Sequence, residues 1–396
     1  MLMKKNLLLL FIMNLLVIQI YSQTATSIAN GNWTSPLTWN CTCVPTPGYT
    51  VIINHNVTLT TSFAYTTGSI TINSGGSLIQ DATPRDIWVN GGSFSNAGTV
   101  DLHYLWTQTG TMANSGTISL RSFLNYVNFT NSGTIQNLDS LYTTGNITNN
   151  GSFLNIDSIT NSGIWINNGI CTFNQFTSTT QFTNNNLLTY TDITNFGTMT
   201  NTDTITCLNS TWNRGTWNNQ SGAYVSITND ILNNNPGLFN AVFNNNGKVV
   251  VTDSWYNLDT VKGTTGSWTV GDTSSNTGKM LGTFDFCDLS HSPTPPIIDF
   301  NTGFIAPGIT WCQSVGIIEP ELDQFNIYPN PSNSKIIIST GETGTFHVKL
   351  YSLDGKLLSE FKNQNEVDVS GLKAGSYLVN VLTQSRNIMK VIFVVK

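Results

Sequence analysis

The sequence predicts an all-β protein in which a parallel β-solenoid is followed by a small β-sandwich. Three observations indicate this fold class. A short Asn-x-Gly unit recurs through the middle of the chain, runs of alternating β-branched and aromatic residues separate its copies, and the composition changes sharply across residues 313–324. A chain of 396 residues has room for two or three domains.

Residues 1–22 have the pattern of a secretory signal peptide. Lys4 and Lys5 precede an apolar run over 7–20, and Ser22 supplies a small residue near a cleavage point. A membrane anchor is the alternative, but the run is short, and no later stretch has the roughly 18 consecutive apolar residues of a membrane helix. We therefore expect an exported protein that does not span a membrane.

Residues 23–60 are predicted to cap the solenoid, because an uncovered first coil would expose its core and its strand edges. Trp33 and Trp39 are large enough to cover that coil. The stretch "TVIINHNVTL" at 50–59 is predicted as the first strand.

The repeat occupies residues 61–285. Gly98, Gly116, Gly133 and Gly151 are spaced by 18, 17 and 18 residues, and such self-similarity is typical of a solenoid. The unit offers residues that tolerate positive φ at a corner, and its asparagines can stack along the axis. Later spacing is less regular, which leaves an antiparallel sandwich stack as an alternative. The copies are NAGTV at 96, NSGTI at 114 and 131, NNGSF at 149, NSGIW at 161, NFGTM at 195, NRGTW at 213 and NNGKV at 245.

The segments between these corners, such as "TISLRSFL" at 117–124, alternate like short strands. Over about residues 50–285 they resemble the right-handed parallel β-helix of secreted pectate-lyase-like and adhesin proteins. The resemblance implies an extracellular scaffold that either contacts glycans or cleaves a polysaccharide.

Six cysteines in an exported chain are expected to meet an oxidising compartment. Residues 286–312 end the solenoid domain, and we predict a disulfide between Cys287 and Cys312. The sequence leaves open the pairing of Cys41, Cys43, Cys171 and Cys207.

The spacing of Cys41 and Cys43 makes an easy mutual bridge unexpected, although one is possible. The chain has no paired C-x-x-C, and its four histidines are scattered. We therefore predict no metal site and no cofactor.

Four motifs at the end of the chain resemble, in order, the type A C-terminal sorting domain of bacterial type IX secretion cargo. Residues 313–324 are the predicted linker before it, and 325–396 the predicted domain. The motifs are "FNIYPNPSNSKIIIS" (325–339), "HVKLYSLDGKLLSE" (347–360), "VDVSGLKAGSYLVNV" (367–381) and "KVIFVVK" (390–396).

This resemblance implies export, recognition by the type IX outer-membrane machinery, and removal of the domain with release or surface attachment of the remainder, called the passenger below. The alternating strands and the turns at "SLDG" and "LKAG" agree with a small Ig-like β-sandwich. The motif residues are Tyr328, Pro329, Asn330, Pro331, Asp354, Gly355, Gly371, Leu372, Gly375 and Tyr377.

The charge of the chain narrows the possible chemistry. A net charge of −6 makes non-specific nucleic-acid binding unexpected. Glutamate is absent from 23–312, so a glycosidase-type carboxylate pair there must be Asp with Asp. Asp139 and Asp157, with Asp101 or Arg121 nearby, are the enzyme candidates; alternatively, they recur only because the coil recurs.

Four Asp-Ser/Thr-aliphatic triplets resemble the O-glycosylation acceptor pattern of bacteria that use type IX secretion. The implied acceptors are Ser140, Ser158, Thr204 and Thr260.

These observations predict a secreted, cell-surface, structural or adhesin-like protein that contacts a surface glycan or an extracellular polysaccharide. A polysaccharide lyase or glycoside hydrolase on the same scaffold is the alternative. Aromatic residues that could stack on sugars, or else belong to the core, are Trp106, Trp165, Trp212 and Trp217.

Overall fold

The computed structural model describes residues 23–234, 237, 241–292, 294–313, 326–339, 346–352, 355–382 and 387–395. The predicted signal peptide, nearly all of the predicted linker and Asp354 lie outside the described residues. The chain divides into two compact units, Met1–Ser314 and Val315–Lys396. Each unit is all-β apart from a single 3-10 turn at Pro36–Thr38 among the residues described.

The first unit is a solenoid in which each coil follows three faces in turn. The first face is a sheet whose neighbouring strands come from successive coils. Its described strands are Thr24–Thr26, Thr50–Ile53, Ser69–Ile72, Ser93–Asn96, Thr111–Asn114, Asn128–Asn131, Ile147–Asn149, Ile164–Asn167, Gln181–Asn184, Thr198–Asn201, Thr216–Asn219, Val242–Asn245, Thr260–Gly263, Lys279–Gly282 and Phe304–Ile305.

The second and third faces are joined by long strands that turn a corner between them. These long strands are Thr99–Thr107, Thr117–Asn125, Ser152–Asn161, Ile170–Ser178 and Leu187–Asn195. Shorter strands on the second face are Gly31–Asn32, Asn56–Leu59, Ser77–Gln80, Thr134–Gln136, Thr204–Cys207, Tyr224–Ile227, Lys248–Val251, Ser267–Val270, Asp285–Asp288 and Thr310–Trp311. Shorter strands on the third face are Phe63–Tyr65, Asp86–Val89, Ser140–Thr143, Thr211–Asn213, Ile231–Asn233, Trp255–Asn257, Ser274–Asn276 and Phe300–Asn301.

Among the described residues of this unit, all strands pair in parallel, for example Thr111 with Asn128 and Asn114 with Asn131. An isolated bridge between Ser27 and Trp39 is antiparallel. The parallel solenoid is therefore confirmed, and the antiparallel stack is wrong. Alternate residues point inward and form a continuous core in which aromatic rings stack from coil to coil. The ring centroids of Phe129 and Phe153 are 6.3 Å apart, and those of Phe153 and Trp165 are 5.1 Å apart.

Gly98, Gly116, Gly133 and Gly151 occupy equivalent corners, as the spacing predicted, but for a different physical reason. None of them has a positive φ. A Cβ on Gly116 would lie 2.1 Å from the carbonyl oxygen of Gly98, and one on Gly133 would lie 2.0 Å from that of Gly116. Glycine is required because the backbones of successive corners approach too closely for a side chain.

The predicted asparagine stack is present at the corner between the first and second faces, and we call it the first ladder. Each Nδ2 donates to the Oδ1 of the next asparagine at 2.8–3.0 Å. The side chains also bond the turn itself, as when Asn114 Nδ2 donates to Gly116 O at 3.1 Å. The first ladder consists of Asn96, Asn114, Asn131, Asn149, Asn167, Asn184, Asn201, Asn219 and Asn245, all buried.

A second ladder follows the corner between the third and first faces. Asn195 donates to Asn213 at 2.9 Å, and the chain of amides continues to Asn301. Gly163, Gly197 and Gly215 belong to this corner, so the apparently irregular Asn-x-Gly series is two regular series interleaved. The second ladder consists of Thr107, Asn125, Thr143, Asn161, Ser178, Asn195, Asn213, Asn233, Asn257, Asn276 and Asn301.

The first coil begins before the stretch predicted as the first strand. Thr24–Thr26 lies beneath Thr50–Ile53, and "TVIINHNVTL" forms two strands on two faces. Trp33 and Trp39 are buried there, and Trp39 Nε1 donates to Trp33 O at 2.9 Å.

Two disulfides lie near the ends of the solenoid. Cys287 and Cys312 are bonded, as predicted. Cys41 and Cys43 are bonded to each other, contrary to the expectation that so short a separation disfavours a bridge. The positive φ of Thr42, 51°, bends the chain between them, and their Cα atoms are 5.1 Å apart.

The second unit is a sandwich of two antiparallel sheets around one core. Buried Ile336, Ile338 and Val367 from one sheet pack with Val348 and Val379 from the other. One sheet contains Asn326–Tyr328, Lys335–Ser339 and Glu366–Asp368; the other contains His347–Ser352, Leu357–Lys362, Gly375–Leu382 and Asn387–Val394.

Candidate functional site

The enzyme candidates lie on two different parts of the solenoid. Arg121, Asp139 and Asp157 stand in one column at the corner between the second and third faces, because the serines that follow them are register partners. Arg121 Nε donates to Asp139 Oδ2 at 2.6 Å. Asp157 Oδ1 accepts from Asn174 Nδ2 at 2.9 Å. Asp101 lies apart from them on the second face, paired with Ser119 and Ile79.

This corner is an exposed ridge rather than a cleft. The side chains of Arg121 and Asp139 are 69% and 53% exposed. The hydrogen bond that Arg121 donates to Asp139 raises the pKa of Arg121 above its ordinary value. A surface ion pair of this kind contributes little to stability because water screens it. The corner supplies no enclosure that would exclude water from a reacting sugar.

The predicted glycosylation acceptors do not form one site. Ser140 and Ser158 are neighbours on the third face, whereas Thr204 is on the second face and Thr260 on the first. Ser140 is exposed, and its hydroxyl lies 2.9 Å from that of Ser122.

The four tryptophans considered as sugar contacts divide into two pairs. Trp165 and Trp217 are fully buried, so they belong to the core and cannot contact a ligand. Trp106 and Trp212 point outward from the third face and are partly exposed. Position within the strand decides the difference, because alternate residues face opposite sides.

Outward aromatic side chains cluster around Trp106. Trp88, Trp106, Leu124 and Tyr142 are register partners on successive coils and form a column of large side chains. Tyr126 stands beside this column, its ring centroid 6.2 Å from that of Trp106 and 6.1 Å from that of Tyr142. We call Trp88, Tyr104, Trp106, Tyr126 and Tyr142 the aromatic patch.

Polar groups border the aromatic patch. Burial, and then the nearby Tyr126 and Asp86, raise the pKa of Tyr104, so its phenol stays neutral. His103 Nδ1 lies 2.9 Å from Asp86 Oδ1. The ridge at Arg121 adjoins the patch through Ser122, the next residue on the third face.

Sequence reasoning considered Trp106 but missed the patch around it. The signal was available: residues 88, 106, 124 and 142 follow the same interval of 18 residues as the glycine corners. A large side chain repeated at the coil period stacks on one face, and only the strand's alternation decides whether that face is inside or outside.

The two unpaired cysteines, Cys171 and Cys207, are both buried. Burial raises the pKa of Cys171 well above its ordinary value and raises the pKa of Cys207 to about 11. A thiol with so high a pKa is a poor nucleophile at neutral pH, so neither cysteine is a candidate for chemistry.

Within the described parts of the chain, no three His, Cys, Asp or Glu side chains come together as a metal-binding group. The same residues include no helix with the length and apolar character to cross a bilayer.

The fold of the first unit defines a parallel β-helix protein, and the second unit identifies its export route. Residues 326–395 match the family described as Secretion system C-terminal sorting domain. A comparison with curated proteins finds no match to the chain. The sorting domain and the solenoid together show that the chain is a type IX secretion cargo with a β-helix passenger, destined for secretion or for the outer cell surface.

The described motif residues of the sorting domain lie partly in turns and partly against its core. Tyr328 ends a strand and is half exposed, at 50%. Gly355 has a φ of 81° in the turn after Ser352. Leu372 packs against the core, and Tyr377 Oη donates to Lys373 O at 2.8 Å.

Proposed function

We propose that the passenger is a non-catalytic surface protein that contacts glycans through the aromatic patch. The signal peptide and the sorting domain are removed during export, and the passenger is released or stays attached to the outer cell surface. Its partner is a surface glycan or an extracellular polysaccharide. The single observation that carries this proposal is the outward cluster of Trp88, Tyr104, Trp106, Tyr126 and Tyr142 on one face.

Such a cluster suits a sugar because the ring faces accept the C–H faces of a pyranose, while the hydroxyls of the exposed Tyr126 and Tyr142 bond its hydroxyls. Tyrosine and tryptophan each combine apolar surface with one polar group. The indole N–H of Trp106 is buried and contributes no such bond. Most other outward positions on the regular coils are Thr, Asn or Ser, so the patch is a local departure from the surface composition. A clustered apolar surface of this kind marks an interaction site.

The scaffold reduces the entropic cost of binding. Four of the five patch residues sit on strands that are paired with the coil before and the coil after, and Tyr126 directly follows Thr117–Asn125. A ligand therefore meets rings that are already ordered, and little side-chain freedom remains to be lost.

A glycan-array screen of the purified protein tests the proposal. We expect binding to a restricted set of glycans, and we expect these glycans to compete with one another for the patch. An array with no bound glycan contradicts the proposal, provided that the protein retains its cooperative unfolding transition.

The enzyme alternative has one observation in its favour, the Arg121, Asp139 and Asp157 column beside the patch. Catalysis there requires both carboxylates, so a protein carrying Asp139→Asn and Asp157→Asn distinguishes the two functions. We expect the wild-type protein to release no reducing ends or unsaturated products from any bound polysaccharide. Product formation that the double variant abolishes establishes the enzyme instead.

Glycosylation of Ser140 or Ser158 is proposed as a modification of the same face. Ser140 and Tyr142 point outward from one strand, so a glycan on Ser140 would lie against the aromatic patch. Mass spectrometry of the protein secreted by its native host tests this point. Unmodified peptides covering both serines contradict it.

The role of the sorting domain as an address is testable by truncation. Deleting residues 390–396 removes five of the eight residues of Asn387–Val394, which pairs along its length with Gly375–Leu382. We expect the truncated protein to accumulate in the periplasm. Normal amounts in the medium or on the surface contradict a signalling role for this strand.

A further inference from the structure

A notch interrupts the corner between the first and second faces in the later coils. Four residues, Gln220 to Ala223, separate Asn219 from Tyr224, whereas the next coil turns directly through Asn246 and Gly247. The following coil again has a longer turn, of three residues from Thr264 to Gly266. The compact turn thus lies between two protruding ones, and we call this region the corner saddle.

Two cavities occupy the corner saddle, one on the first face and one on the second face. The cavity on the first-face side has a volume of about 380 Å³, the one on the second-face side has a volume of about 510 Å³, and Asn246 lines both. A ligand that fills both must therefore be extended and must bend round the corner.

The lining of the corner saddle is cationic. Lys262 lines the first-face cavity and Lys248 the second-face cavity, and both are exposed. Neither cavity is lined by Asp or Glu. Only six Lys and Arg residues occur in 23–313. Two of the six lie at the corner saddle, so positive charge is concentrated there on an otherwise acidic passenger.

Side-chain amides supply the remaining polar groups. Asn244 Nδ2 donates to Asn218 Oδ1 at 2.6 Å, which fixes both amides on the floor. Asn246 Oδ1 accepts from Thr264 N at 2.8 Å and from Thr264 Oγ1 at 3.1 Å. Lys248 is held over the Tyr224 ring, with its Nζ 6.0 Å from the ring centroid. The donors are thus ordered before a ligand arrives.

We infer that the corner saddle binds an anionic polysaccharide. Its carboxylate or sulfate groups pair with Lys248 and Lys262, and its hydroxyls bond the amides between them. The two lysines stand on different faces, so a chain of repeated charges can reach both where a single small anion cannot. The site is separate from the aromatic patch and does not depend on it.

Calorimetric titration of the purified protein tests the inference with three probes: polygalacturonate, dextran sulfate and neutral dextran. We expect binding of at least one polyanion, weakened by salt, and none of neutral dextran. Stronger binding of polygalacturonate assigns the site to carboxylates, and stronger binding of dextran sulfate assigns it to sulfates.

A double variant, Lys248→Gln with Lys262→Gln, is expected to weaken polyanion binding about tenfold. Lys279→Gln is the matched control, since Lys279 is exposed on the first face but outside both cavities. It should change the affinity by less than about twofold. Both lysines of the saddle are exposed, so unchanged thermal unfolding is expected and confirms the fold.

The inference is overturned if the protein binds neither polyanion. It is also overturned if Lys279→Gln loses as much polyanion affinity as the double variant, because that result indicates a diffuse charge effect. Trp106→Ala should leave polyanion binding unchanged. This variant separates the saddle from the proposed glycan contact, because either site can fail while the other binds.

Discussion

The coils before Asn219 and the coils after it have the same interior but different outer surfaces. Between Asn96 and Asn219 each step of the first ladder spans 17 or 18 residues. The step from Asn219 to Asn245 spans 26. The amide hydrogen bond is nevertheless 2.9 Å long. The buried ladder therefore keeps its spacing in a longer coil, and two of the additional residues belong to the turn at 220–223 between the first and second faces.

The two regions consequently offer different surfaces. Regular coils align outward residues into straight columns, which is how Trp88, Trp106 and Tyr142 come to stand together. Coils of unequal length leave short turns between long ones, which is how the corner saddle arises. The repeat specifies the fold. The aromatic residues on the third face form the patch, and turns that depart from the regular length form the corner saddle.

The largest expected loss of stability that tests this comparison comes from substituting a glycine at a corner. In Gly133→Ala the new Cβ would lie 2.0 Å from a backbone oxygen of the preceding coil. We expect a loss of about 3 kcal/mol or more, since a stacked backbone cannot move aside. Gly222→Ala is the control in the saddle, where φ is 83° and nothing lies within 4 Å of the new Cβ.

The control should lose only about 1 kcal/mol, the cost of a left-handed alanine. Equilibrium unfolding in guanidinium chloride measures both losses. Equal losses at the two glycines would show that close stacking of the corners is not what requires glycine.

The next effect compares two adjacent asparagines. Asn149 is in the first ladder, whereas Asn150 lies outside it and bonds Asn168 at the surface at 2.9 Å. Asn149→Ala leaves buried amide groups of Asn131 and Asn167 without their partner, and we expect a loss of about 2 kcal/mol. Asn150→Ala should lose less than about 0.5 kcal/mol. Similar losses would contradict a stabilising role for the buried ladder.

A smaller effect concerns the two free thiols, which both lie before Asn219, with Cys207 in the coil that pairs with the first irregular one. At pH 8 a thiol with a pKa near 11 is ionised to roughly one part in a thousand, and Cys171 is fully buried. Iodoacetamide should therefore label neither native cysteine and should label both after denaturation. In mild denaturant Cys207 should react first, because it adjoins the irregular coils; earlier labelling of Cys171 would reverse the assigned order of local stability.

Sequence reasoning recovered the solenoid and its corners because hydrogen bonding between identical coils makes the period visible. Gly98 and Gly116 could be aligned by spacing alone, but the contact that requires them is between coils, and a single copy of the motif does not show it. The copy at 161 belongs to the second corner, and spacing alone does not assign Gly163 to it because both corners use the same motif.

The surface sites were less predictable. Trp165 and Trp106 have similar neighbours in sequence, and only the register of the strand places one inside and the other outside. The saddle depends on differences in turn length between coils that are 18 to 26 residues apart, so its lysines are not close in any local pattern.

The most direct test of the functional account is the affinity of a glycan identified on the array for two tryptophan variants. Trp106→Ala removes the centre of the aromatic patch, whereas Trp212→Ala removes an outward tryptophan from the same face outside it. We predict about a tenfold loss for the first, in the range expected of an aromatic contact, and no change for the second. Equal affinities of the two variants would contradict glycan binding at the patch.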